Sequence, residues 1–239
     1  MKNNTTIYCC YHNKQQKINF KNDNLFWVYG PNDPLNEFYS EFSMFKWIYM
    51  NDKNSDYIGC CHYRRQLNIN EIDYKYLDNN HCIVLNRMLC DKPGAYGIRK
   101  WSRIDWQDCE WLYFDFIEYI RTKDDYIKYY HADELSADIN LMYSRSTFIM
   151  NRYHFFNLWE FIGGFFDFID KKYNLNYNYT KYQNFLLNYR NKSGKFSNQS
   201  WFYKLYHRLF AYIGEWLVSD YIVANFNLKN VKYIHDYAL

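Results

Sequence analysis

Short apolar runs alternate along this chain with longer stretches whose apolar residues recur at helical spacing, and that alternation restricts the fold more than any other feature. The segments 6–12 (TIYCCYH), 25–30 (LFWVYG), 56–61 (DYIGCC), 81–86 (HCIVLN) and 145–151 (RSTFIMN) read as strands, and 231–235 (VKYIH) as a closing one. Between the second and third runs, Asp33 suits a helix cap and Pro34 a first helical position. Phe38, Phe42, Phe45 and Tyr49 then recur on one face, which predicts a helix buried along that side. Further helices are expected over 105–121, over 152–173 with a loosening at Gly163–Gly164, and over 201–225; 174–184 and 191–200 read as polar loops. The pattern predicts an α/β sandwich with a mostly parallel central sheet flanked by helices. One domain over 1–239 is expected, with a long C-terminal helix over 200–224 packed on it.

Composition narrows the partners. A net charge of +3 with a pI near 8.3 falls short of the footprint of a nucleic-acid binder, whose domain pI usually exceeds about 9, so no nucleic acid is expected. The aromatic content of 23% accompanies richness in Asn and Lys, so it supports a core without specifying a ligand. The seven cysteines include no CxxC, which argues against zinc. Reduced thiols in a cytoplasmic protein are expected instead. Cys9–Cys10 and Cys60–Cys61 are adjacent strand residues, so each pair must split between opposite sheet faces. No signal-like or membrane-spanning apolar stretch occurs, leaving peripheral contact at the inner membrane face open. The phosphate-loop, dinucleotide and serine-nucleophile motifs are absent.

In open α/β sheets, ligands gather beyond the carboxyl ends of the strands. Two segments fall there: Tyr11–His12 and the abrupt polar ending His62, Tyr63, Arg64, Arg65. Guanidinium forks match phosphate or carboxylate oxygens and stay charged, and a histidine beside them adds a group that titrates near neutral pH. If the strand continued, His62 and Arg64 would share one face, and Tyr63 and Arg65 the other. An arginine paired with an acidic neighbour is the competing reading. Glu41 lies beside the buried face of its helix. Arg208 and Glu215, seven residues apart, fall on nearly one helical face. His131, Asp133, Glu134, Asp105 and Asp108 read as caps or solvated charges.

Asn36, Tyr39, Glu41, Lys46, Trp47 and the block Asp56, Tyr57, Gly59, His62–Arg65 together resemble the signature of a capsular and exopolysaccharide biosynthesis family, long labelled a domain of unknown function. Thr147–Arg152 and the segment from His207 to Ile222 are similar to two weaker blocks of the same family. The chain departs from it at Trp216, where an arginine is usual, and at Thr147, where asparagine is common. The resemblance implies a glycosyltransferase with a GT-A-like, Rossmann-like sandwich. It would move a hexose, galactose or glucose, from a nucleotide-sugar donor, with a UDP-sugar the expected form. The acceptor would be a saccharide or a lipid-linked saccharide. Tyr11, His12, His62, Tyr63, Arg64, Arg65 and Arg208 are then expected at the nucleotide-sugar, and Glu41 and Glu215 near the sugars as catalytic candidates. Many GT-A enzymes hold manganese or magnesium through Asp-x-Asp; that motif occurs nowhere here, so no metal ligand is assigned and the cation stays open as a cofactor. A catalytically inactive nucleotide- or carbohydrate-binding module is the alternative.

Overall fold

A computed structural model describes residues 4–19, 24–64, 66–67, 71–77, 80–84, 87–89, 110–138, 141–143, 146–193, 209–233 and 236–237. The elements follow in chain order: β1 (Thr5–Tyr11), α1 (Lys14–Asn19), β2 (Phe26–Tyr29), α2 (Asn36–Tyr39), α3 (Phe42–Asn51), β3 (Tyr57–His62), β4 (Gln66–Leu67), β5 (Cys82–Val84), β6 (Arg87–Leu89), α4 (Glu110–Ile120), α5 (Ile127–Asp138), β7 (Leu141–Tyr143), β8 (Phe148–Asn151), α6 (Arg152–Lys172), α7 (Tyr179–Ser193), α8 (Leu209–Asn225), β9 (Val231–Tyr233) and β10 (Asp236–Tyr237). The main sheet has the order β2-β1-β3-β8-β5-β9, with β4–β10 and β6–β7 as separate two-stranded pairs. β1 runs parallel to β2 and β3, and β5 parallel to β9, but β8 pairs antiparallel with both β3 and β5. The expected sheet is therefore mixed, with β8 reversed between strands that share one direction.

Strand alternation sends Tyr8, Cys10, Ile58, Cys60, Phe148 and Met150 into a large core against α3, α6 and α8. Ile7, Cys9, Tyr57, Cys61, Ile83 and Ile149 go to a smaller core covered by Leu67, Ile72 and Leu77. Each adjacent cysteine pair is split between the two cores, and Cys9, Cys10, Cys60, Cys61 and Cys82 are buried free thiols. Aromatic rings fill the larger core: Phe42, Phe45, Phe155, Phe161 and Phe165 are fully buried, each stabilising by about 1.5–3 kcal/mol relative to exposure.

Three local expectations change. The helix predicted from Asp33 is two helices, because Ser40 takes a positive φ of 49° between α2 and α3. The Asp33 carboxylate accepts from the Leu35 N–H at 2.8 Å and pairs with Lys46 at 3.0 Å, so Pro34 lies ahead of the first helical turn. α6 runs unbroken through Gly163–Gly164, where the Tyr119 hydroxyl donates to the Phe161 carbonyl at 2.8 Å. The segment 174–184, read as loop, contains the start of α7, since Tyr182 and Leu186 bury themselves in the core. Residues 201–208 of the last expected helix lie outside the described residues.

Candidate functional site at the carboxyl ends of the first and third strands

Because β1 and β3 are parallel, their carboxyl ends open on the same sheet edge, with Cys10 in register with His62 and the Tyr63 N–H donating to the Cys10 carbonyl at 3.2 Å. His12 follows β1, and its ring lies 5.7 Å from that of His62 and 6.1 Å, edge-on, from Tyr63. β3 ends at His62 and the chain turns at Tyr63–Arg64, so strand alternation does not carry on to Arg64. Arg64 is exposed, its guanidinium 5.2 Å over the Tyr63 ring, and its backbone N–H donates to His62 Nδ1 at 3.4 Å. Two histidines, a tyrosine and a guanidinium thus converge from separate strands. Tyr11 packs against Trp27 and Tyr29, with the Lys17 ammonium 5.7 Å from its ring. Arg65 and Arg208 lie outside the described residues.

The α2–α3 hinge closes this edge from the helix side. Glu41 follows the strained Ser40 and is 6% exposed. Burial, and then the Glu41 carboxylate, push the Cys10 thiol well above its ordinary pKa, which brings Glu41 to the end of β1. A non-glycine residue at positive φ costs roughly 1–3 kcal/mol and persists where its surroundings hold it, commonly at functional sites. Here Asn36 holds it: its side-chain amide donates to the Ser40 carbonyl at 2.9 Å and to the Ser43 hydroxyl at 2.7 Å, while its Oδ1 meets His12 Nδ1 at 3.2 Å. In the sequence Asn36 is a motif residue with no assigned role; its position at the start of a helix facing a strand end is visible only in three dimensions. Gly30 leaves room for it, since a Cβ there would come within 2.5 Å of Asn36 Nδ2.

Glu215 is half-buried on α8. Its neighbour Gly214 lies directly against the Phe42 ring, so α8 crosses the chain one residue beyond Glu41. The two glutamates, remote in sequence, belong to elements that meet at one crossing. Beyond Gly30 a cavity of about 270 Å³ runs along β2 and α3, lined by Tyr29, Asn32, Ser43, Lys46, Trp47 and Asn51 among others.

Divalent magnesium or manganese favours oxygen ligands, above all carboxylates. The end of β3 carries His62, Tyr63 and Arg64 instead, and among the described residues no three His, Cys, Asp or Glu side chains come together as a metal set. The donor set at this edge does not fit such a cation. Of the lesser candidates, His131 and Glu134 face each other at 3.8 Å on the surface of α5. Asp133 is not a solvated charge: it is 2% exposed, beside the fully buried Asp220. Asp105 and Asp108 lie outside the described residues.

The structure is similar to a solved apo structure of WbbM, a bifunctional glycosyltransferase, with a TM-score of 0.61 at 18% identity over 98% of this chain. The two share a fold. This chain spans 45% of that chain's length. No protein-family description and no curated protein sequence matches. Among the described residues, no helix is long and apolar enough to cross a membrane.

Proposed function

We propose that this chain is a GT-A-like glycosyltransferase that moves a hexose, galactose or glucose, from a nucleoside-diphosphate sugar to a saccharide or lipid-linked saccharide acceptor of a surface polysaccharide. The observation that carries this reading is the convergence of His12, His62, Tyr63 and Arg64 at the shared carboxyl edge of β1 and β3, in a fold that WbbM also has. A departing nucleoside diphosphate needs its developing charge met by fixed donors. Arg64 and Arg65 supply guanidinium groups, the histidines supply ring N–H donors, and the turn after β3 presents Arg64 beside the strand ends. Arg208 joins the same anionic group from the segment leading into α8. Tyr11, with Trp27 and Tyr29, forms an aromatic wall beside the nucleotide. Glu41 and Glu215 stand near the sugars, where a carboxylate orients hydroxyls or takes a proton from the acceptor. The domain works in the cytoplasm, at the inner membrane face when its acceptor is lipid-linked.

Thermal-shift screening against nucleoside diphosphates and UDP-hexoses, with and without manganese, followed by donor hydrolysis and transfer assays, tests this. Stabilisation by UDP that weakens in Arg64→Ala and in Arg65→Ala, together with turnover, is expected. Unchanged shifts in both variants discard the phosphate clamp. Tight binding without turnover on any donor identifies a non-catalytic binding module. Activity lost on chelation and restored by manganese overturns the metal-free edge.

A further inference from the structure

We propose that Asn36 is a positioning residue that locks His12 in the Nδ1–H tautomer, so that His12 can donate from Nε2 to a bound diphosphate only as the imidazolium, and diphosphate binding takes up a proton. The second half rests on the reading of this edge as a nucleoside-diphosphate site; the first does not.

The tautomer follows from donor and acceptor bookkeeping around one buried amide, 7% exposed. The Ser40 carbonyl can only accept, so the Asn36 atom 2.9 Å away is the NH2 nitrogen. The Ser43 hydroxyl spends its own proton on that same carbonyl at 2.7 Å, so toward Asn36 it accepts, at 2.7 Å. Both amide hydrogens are then used, and a flipped amide would set its oxygen against the Ser40 carbonyl. Oδ1 is therefore what faces His12 Nδ1 at 3.2 Å, and Oδ1 accepts, so Nδ1 carries the proton. With the neutral ring's single proton there, Nε2 holds a lone pair and is repelled by phosphate oxygen. Adding a proton turns it into a charge-assisted donor.

Other groups around this edge set the pH at which the change occurs. From β3 come His62, Tyr63 and the Arg64 guanidinium; from the α2–α3 hinge come Asn36 and the buried Glu41. From α1 comes Gln16, which accepts from the His12 backbone N–H at 2.7 Å, and Lys17, over the neighbouring Tyr11. The positive groups oppose the imidazolium in the free protein. A bound diphosphate reverses that balance, and the linkage follows.

Long-range nitrogen-detected NMR on histidine-labelled protein, with the His12 signal assigned by its loss in His12→Gln, reads the tautomer directly. Expected for the neutral ring is a protonated Nδ1 and an unprotonated Nε2; a proton on Nε2, or a mixture, overturns the lock. Asn36→Ala is expected to release the ring into a mixture with Nε2–H; an unchanged Nδ1–H form in a folded Asn36→Ala protein overturns the role of Asn36. Should that variant not fold, the wild-type spectrum still decides the tautomer. Calorimetry with UDP then tests the linkage. Affinity is expected to fall about tenfold per pH unit above the measured His12 pKa, with enthalpies that track the buffer's ionisation heat, and to lose this dependence in His12→Gln. UDP binding that is flat across the His12 titration overturns the proton uptake. No binding of UDP or UDP-hexoses at any pH sinks the diphosphate reading and the uptake with it, while the tautomer stands or falls on the NMR result.

Discussion

Asp52, which caps the end of α3 just before β3, gives the most quantitative test of how the sheet edge is held. Its carboxylate accepts from the Tyr8 hydroxyl of β1 at 2.6 Å, from Arg152 at the start of α6 at 2.7 Å, and from the N–H groups of Asn54 and Ser55 at 3.0 Å. One side chain therefore ties β1, the entry to β3 and the start of α6. Burial would raise its pKa, but the hydrogen bonds from Ser55, Tyr8 and Asn54 outweigh burial and lower it from 3.8 to about 2. A depression of nearly two pKa units corresponds to roughly 2.5 kcal/mol. Asn54 is exposed, so its share is partly screened by solvent, which trims the expectation to about 2 kcal/mol. For a depressed carboxyl this stability is complete above the unfolded pKa, near 4, and is lost as pH falls through about 2. Urea unfolding of wild type and Asp52→Asn across that range reads it out. The gap between the two unfolding free energies should shrink by about 2 kcal/mol between pH ~5 and pH ~2. A gap that stays constant with pH would refute the account, because it would mean the charge of Asp52 is not what the network holds.

Two further outcomes follow from the helix packing. Gly214→Ala drives a Cβ into the buried Phe42 ring, so it should cost about 1–3 kcal/mol in chemical denaturation; wild-type stability would show that the α3–α8 crossing is looser than described. Asp220 is fully buried and, among the described residues, neither of its carboxylate oxygens is hydrogen-bonded; burial, then Asp133, push its pKa well up. A raised carboxyl holds its proton in the folded state, so its contribution is complete below the unfolded pKa near 4 and is lost as pH rises toward the folded value. Asp220→Asn should therefore gain stability over wild type at alkaline pH and little in acid, measured as thermal midpoints across pH; parallel pH profiles for the two proteins would count against it.

The described fold was legible where the local pattern had one physical meaning. The apolar runs around Cys9, Val28, Ile58, Ile83, Ile149 and Val231 all became strands of the main sheet, because continuous apolar stretches of that length are stable only when paired and covered on both faces. Strand parity split the cysteine pairs as expected, since side chains alternate whatever the strand pairs with. Local patterning misled where a distant partner decided the outcome. Tyr182 makes a polar-looking stretch helical because Tyr39 and Asp170 accept or share its hydroxyl within the core. Ser40 breaks a helix that periodicity would have continued, because Asn36 and Ser43 satisfy the bent backbone. Asp133, charged and flanked by polar residues, reads as solvated, yet it packs against α8.

By itself, then, the sequence determined which segments become strands of the main sheet, which faces of the helices it identified are apolar, and that His12 and the HYRR block stand at strand ends, but not the short strands β4, β6, β7 and β10. Those properties depend on the neighbours along the chain. The tertiary structure alone decided that β8 runs against the other strands, that His12 and His62 meet across β1 and β3, and that Asn36 orients His12 while bracing the hinge that carries Glu41. The reason is physical: strand direction, hydrogen-bond partner and imidazole tautomer are properties of pairs of groups. Such pairs exist only after the chain has closed upon itself.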